Sequence, residues 1–494
     1  MSEDGRLYDP FAAAPRLVAA AILVAGAAVS LWLNFPGHLS YDSVVQLAEG
    51  RVGVYSGEHP IVMSWLLGVA DAIRPGAAMF VAFDTLLIYG ALLGLVLIAR
   101  RVWWLAAPLA ALCVCLPQLF LYPAIVWKDV LFAGASVAGF ASLAWAARQW
   151  ARPASRVALL LAGLVLLTLA ALGRQNGAVV LPLAAGAVGW IAFRSGEEAP
   201  RRLRKGLTYG LGFLVSGAML FFAASAALAT RLDDAGATAQ AWTALQTYDL
   251  VAAAARDPHT DLGVLKARDP TLETLIRTRG VRLYSPARVD SIQSMLDRMD
   301  PDGTDAGPVA AQWRDLIARD PLLYLRIRAT ALRWVLLTPD PNGCLLAYTG
   351  IDGPAEEMAD AGLVRRDTAM DDSVGDYALA FARTPAYSHG TYGVIGLVCL
   401  AALLRRRRPA DIAVAAMLAS AFAFTASFAL ISIACDYRYL YDLDIAAIGA
   451  ALYLAADWRG IGVKLTPSLA PARGDQSARR QSNVAQSEDQ KTEA

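Results

Sequence analysis

An all-α protein that crosses a lipid bilayer about ten times, with a mostly helical domain on the outer side, is the architecture this sequence predicts. Three observations carry it. Apolar residues make up 56% of the chain and charged residues only 18%, more apolar than a water-soluble domain needs to fill its core. The apolar residues gather into runs of about 17–25, the length that crosses the hydrocarbon as a helix. Basic residues cluster between alternate runs, so a single orientation puts them all on one side.

Taken in order, the predicted spans are 16–34, 77–99, 102–122, 128–147, 157–173, 177–193, 206–230, 390–404, 411–433 and 437–457, with 390–404 the shortest. The leading segment 1–15 sets Glu3, Asp4 and Asp9 against Arg6. That is a poor start for a secretory signal, so the first span is read as a retained anchor. With the N-terminus inside, Arg100-Arg101, the group Arg148, Arg152 and Arg156, the run 194–205 and Arg405 to Arg408 are all cytoplasmic, as the positive-inside rule requires. Both termini then lie inside. Trp103, Trp104, Trp145 and Trp150 fall at inner interfaces and Tyr122, Trp127, Tyr437 and Tyr439 at outer ones, in the manner of aromatic belts.

The domain plan that follows is a 1–15 cytoplasmic segment, a 16–230 membrane module with its first outer loop at 35–76, a 231–389 extracytoplasmic helical domain, 390–457 membrane helices, and a 458–494 cytoplasmic tail. Within the first outer loop, Ile61–Ile73 is apolar but too short to span, so a helix along the outer surface is expected. Pro321–Leu337 is interrupted by Arg326, Arg328 and Arg333 and reads as interfacial. Segments 241–255 and 289–299 have helical spacing of apolar residues, separated by breakers such as Asp257-Pro258 and Asp300-Pro301. The tail from Thr466 onward is polar and low in apolar residues, a composition that stays disordered.

Ionisable residues near the outer helix ends are the candidate site. Asp42 is a lone carboxylate in His38-Leu39-Ser40-Tyr41-Asp42-Ser43, just past the first span. One reading makes it a first-turn acid behind the Ser40 cap; the other makes it a base that deprotonates a hydroxyl acceptor at the membrane lip. Glu58-His59-Pro60 follows, which brings His59 beside it. Lys128 and Asp129 open a span as neighbours that point in different directions, with Lys128 suited to a phosphate and Asp129 to a metal or an acceptor. Arg174, Gln175 and Asn176 form a polar turn between two apolar runs, and the planar fork of Arg174 matches phosphate. Arg438 and Asp442 are spaced to pair across one helical turn. Asp444 and Asp84 lie deeper, where ionisable groups are costly and mark function by default.

Other chemistries are absent from the sequence. His38, His59, His259 and His389 make no zinc-ligand spacing, and no metal site is predicted. A divalent cation is the one cofactor left open. The five cysteines show no ligand pattern; Cys113 and Cys115 read as small core residues. Cys344 and Cys435 share the predicted outer side, which permits a disulfide that spacing alone does not establish. A net charge of +1 gives no reason to expect nucleic acid as a partner, whereas membrane lipids surround every span.

Tyr41-Asp42-Ser43 after the first span, His59-Pro60 before a surface helix, Trp127-Lys128-Asp129 before the fourth and Arg438-Tyr439-Leu440 late in the chain together resemble the GT-C superfamily of membrane glycosyltransferases. That group holds the protein O-mannosyltransferases, the lipid A aminoarabinose transferases and bacterial family 39-like enzymes. Two features depart from its pattern: His59-Pro60-Ile61 stands where bacterial members often have His-Pro-Pro, and the first outer loop has one carboxylate rather than an adjacent acidic pair. The resemblance implies a polyprenyl-phosphate sugar donor, a cell-envelope glycan, lipid or protein acceptor, and a multi-pass protein of the bacterial inner (plasma) membrane. It makes Asp42 the catalytic base, with His59, Lys128, Asp129, Arg174, Asn176, Arg438 and Asp442 as the substrate-binding set. A lipid phosphate leaves as an anion, so the site needs cations rather than a second, protonated carboxyl. Single displacement of this kind inverts the anomeric centre. Two other functions are open to the same sequence: a transporter or flippase using Asp84, Asp442 and Asp444 as an ion path, and a polysaccharide polymerase or ligase.

Overall fold

The computed structural model describes residues 10–56, 59–99, 103–195, 199–232, 237–299 and 306–457. The expectations for 1–9, Glu58, Arg100-Arg101 and the 458–494 tail lie outside these residues. Secondary structure among them is helical apart from isolated β-bridges.

Among the described residues, eight helices are long and apolar enough to cross a membrane, or nine when one bent pair is counted, which is the multi-pass helical class expected. The bent pair, Ala106–Val114 and Pro117–Ala124, turns by 74° within the predicted span 102–122. Pro117 disfavours helical backbone at Leu116, which is extended (ψ 143°). The expected span 390–404 sits in helix His389–Arg406, whose polar first turn and terminal arginines leave it outside the eight.

The spans Lys128–Arg148 and Tyr437–Ala456 occupy the centre, 89% buried each, whereas Pro200–Ala229 is only 11% buried and presents its apolar face outward. Small residues explain the centre. Gly134 sits against Leu87 and Ile88, and Gly139 against Leu167, where a side chain would hold the neighbouring helices apart.

Outside the spans, Tyr41–Val52 and Ile61–Ile73 form a helical hairpin that carries Asp42 and leads out of His59. Its two helices meet backbone to backbone, because a Cβ at Gly50 would fall on the Ser64 carbonyl and one at Gly68 on the Gly50 carbonyl. Residues 231–389 contain their own apolar cluster, including Leu250, Val251, Ile276, Ile292 and Val309, as a small helical module requires. Arg328 joins this module to helix Pro409–Ile431: its guanidinium pairs with Asp249 at 2.8 Å and its Nε donates to the Ala429 carbonyl at the end of that helix.

Candidate active site

The loop before Asp42 is clamped on both sides by backbone hydrogen bonds. The His38 amide donates to the Ala124 carbonyl, Val126 donates back to His38, Leu39 donates to Gly350 and Asp352 to Leu39. The His38 side chain completes the clamp. Its Nδ1 accepts from the Gly350 amide at 3.0 Å, and its Nε2 meets Asn34 Oδ1 at 3.0 Å. Burial, with the nearby Arg366, lowers the His38 pKa to about 4, so the ring is neutral at pH 7. His38 is therefore a structural residue. Ser40 precedes the helix without a side-chain cap bond; its hydroxyl instead accepts from Trp127 Nε1 at 3.0 Å.

Asp42 then projects to Arg438, with 3.0 Å between carboxylate and guanidinium and with Asp42 30% exposed. Arg438 also faces Asp436 at 3.4 Å and Asp129 at 3.9 Å and lies over the Trp127 ring, 5.1 Å from its centroid. Burial pushes the Asp42 carboxyl up, but the charge and hydrogen bond of Arg438, with the charge of Lys128, outweigh it and hold it below the ordinary value. Asp436 goes the other way, raised by burial against the pull of Arg438. Asp42 is thus an ionised, reachable carboxylate whose partner is a cation.

Lys128 and Asp129 do diverge. Lys128 Nζ reaches His59 Nδ1 at 3.3 Å, and burial plus the Lys128 charge lowers the His59 pKa to about 4, so His59 is a neutral acceptor. Asp129 pairs with Arg174 at 2.6 Å, both buried. The Arg174 guanidinium is further surrounded by Phe424, Phe428 and Tyr439. Asn176 stands apart from this cluster and donates to Ser427 Oγ at 2.7 Å.

Arg438 does not pair with Asp442. Arg438 lies in the 3-10 turn Tyr437–Leu440, before helix Tyr441–Ala456 begins, so the helical spacing that would align the two does not apply. Both oxygens of Asp442 and of Asp84 are buried, with the Ser136 hydroxyl beside Asp442. Asp444 is taken up by His389 and Tyr437, which removes it from any open ion path.

Asp129 Oδ1 holds Arg174 and its Oδ2 faces Arg438 at 3.9 Å. Among the described residues no group of three or more His, Cys, Asp or Glu is arranged to hold a metal. Sequence reasoning missed Asp436 and His389 as part of this region. The signal for Asp436 was its place between Cys435 and Arg438; His389 had none, its partner being 55 residues away.

No family model matches the chain, and no curated protein does. Solved structures of the Archaeoglobus fulgidus oligosaccharyltransferase are similar to it. AglB in complex with an inhibitory peptide and a dolichol-phosphate is 15% identical with a TM-score of 0.40, over 89% of this chain and 50% of that one. The form tethered to an acceptor peptide by a disulfide is 12% identical with a TM-score of 0.39, over 89% and 50%. The chain spans about half the length of these structures.

Proposed function

We propose that the chain is an inverting membrane glycosyltransferase that moves a sugar from a polyprenyl-phosphate donor to an acceptor hydroxyl at the outer face of a bacterial inner membrane. The observation that carries this reading is the cluster at one end of the spans, in which the reachable carboxylate Asp42 is ion-paired to Arg438 with Lys128 close by. In the reaction the acceptor oxygen attacks the anomeric carbon, Asp42 takes its proton, and the bond to the phosphate oxygen breaks with its electron pair. Arg438 and Lys128 stabilise the charge that develops on the phosphate. Arg174, committed to Asp129, holds the wall behind them. A phosphate that draws Arg438 away from Asp42 also removes the largest of the charges that depress the Asp42 carboxyl, so donor binding raises the proton affinity of the base.

The test is turnover in proteoliposomes against a panel of polyprenyl-phosphate sugars, with membrane extract as the acceptor source. Transfer from one of them, dependent on Asp42, is the expected result. Transport of the lipid-linked sugar without transfer would replace this reading with a flippase.

A further inference from the structure

His389, Asp444 and Tyr437 form a closed polar network in an otherwise apolar interior, and all three side chains are fully buried. His389 Nδ1 lies 2.8 Å from Asp444 Oδ1, and His389 Nε2 lies 2.9 Å from the Tyr437 carbonyl. The Tyr437 hydroxyl donates to Asp444 Oδ2 at 2.6 Å and accepts from Gln118 Nε2 at 2.7 Å. The Tyr437 ring stacks on the His389 ring at 4.0 Å and meets the edge of Tyr387 at 4.8 Å.

A carbonyl can only accept, so His389 Nε2 carries a hydrogen. One further proton is then shared between Nδ1 and Asp444, and the pair is neutral as a unit, the form a low-dielectric interior tolerates. Apolar residues would join the same helices at no greater cost. What the network adds is direction, because it binds both the backbone carbonyl and the hydroxyl of one residue. That residue opens the four-residue turn Tyr437–Leu440, and the next residue is Arg438.

We propose that His389, Asp444 and Tyr437 are positioning residues that fix the turn so that the Arg438 guanidinium faces Asp42. Helix His389–Arg406, which belongs to none of the eight long apolar spans, thereby supplies part of the support of the site. The consequence for a lipid phosphate rests on the function proposed above.

The test uses the full chain in lipid nanodiscs. Asp444→Leu removes both acceptors. Asp444→Asn keeps both hydrogen bonds, since the amide can donate to Nδ1 while its oxygen accepts from Tyr437. Tyr437→Phe deletes one hydroxyl and keeps the ring, and serves where Asp444→Leu does not fold. Hydrogen exchange of the 436–441 backbone is read by mass spectrometry beside affinity for a short-chain prenyl phosphate. Exchange there should rise about tenfold or more in Asp444→Leu or Tyr437→Phe, stay near normal in Asp444→Asn, and leave helix Lys128–Arg148 unchanged. Prenyl phosphate should bind about tenfold more weakly, with little further loss when Arg438→Gln is already present, the non-additivity expected of groups acting through one another. Unchanged exchange overturns the proposal, as does raised exchange with normal affinity or with fully additive losses. Raised exchange in a chain whose unsubstituted form binds no prenyl phosphate leaves the positioning role standing and removes the proposed donor.

Discussion

The ion pair between Asp42 and Arg438 explains how one carboxylate can remain charged at the membrane edge and still be available to a substrate. If Asp42 is the base, Asp42→Asn keeps its size and first-turn compatibility and removes its proton affinity, so turnover should fall by about 10²–10⁴-fold. Asp42→Ala should be equally inactive, and both should express normally. An active Asn variant would reduce Asp42 to a helix-end residue. The pH profile gives a second check. A carboxyl held low by Arg438 loses function only as pH falls below the usual carboxylate range. Arg438→Gln removes the largest lowering charge, so the acid limb should move to higher pH by roughly one unit or more; an unmoved limb would mean another group titrates. Asp42, His59, Lys128, Asp129, Arg174 and Arg438 were visible in the sequence because charge is conspicuous beside apolar runs. Their pairing was not, since Asp129 with Arg174 and Asp42 with Arg438 meet across separate helices. The one pairing that local spacing suggested, Arg438 with Asp442, fails because the helix starts three residues later than the spacing assumes.

At the level of elements, the hairpin Tyr41–Val52 and Ile61–Ile73 sets the distance between Asp42 and His59 through the Gly50–Gly68 contact. Gly68→Ala must push the two helices apart, since the new Cβ meets the Gly50 carbonyl. Overpacking of this kind costs about 1–3 kcal/mol. The variant should show a lower unfolding temperature and reduced turnover together; a normal unfolding temperature would show that the hairpin adapts. The clamp behind it predicts a pH dependence of stability. Burial lowers His38 and His59 to about 4 from an unfolded value of 6.5. Their contribution is fully present above 6.5 and is lost as pH falls towards 4, because the unfolded chain takes up protons first. Thermal unfolding in nanodiscs should therefore weaken over this window, and His38→Gln should flatten the slope; an equally steep slope in that variant would acquit His38. The short surface helix at 61–73 was legible from its length. The bend at Pro117 and the clamp between 38–40, 124–126 and 350–352 were not, because strand-like bridges of one or two residues leave no periodicity.

Over the whole molecule, the long apolar helices were readable from composition, since lipid contact demands long apolar runs. How the module attaches was not, because the attachment depends on a few long-range links such as Arg328 to Ala429. The disulfide between Cys344 and Cys435 is another such link, its partners 91 positions apart in sequence. It ties the module to the segment just before Arg438, and it bears on orientation as well as stability. Disulfides persist on the oxidising side of a membrane and are rare in the reducing cytosol. A bonded pair therefore supports placing 231–389 and Arg438 together outside, the side that the basic clusters at Arg148 and Arg405 to Arg408 oppose. Opening the bond should cost roughly 2–5 kcal/mol. Cys113, Cys115 and Cys399 are free. Protein extracted from intact cells under alkylating conditions and denatured without reductant should thus take up three alkyl groups, and five after reduction. Single cysteines give the matching topology test in a cysteine-free background: Pro270→Cys should react with a membrane-impermeant thiol reagent in intact cells, and a cysteine in the 458–494 tail should not. Five alkyl groups before reduction, together with a silent position 270, would turn the molecule over and move the candidate site to the cytoplasmic face.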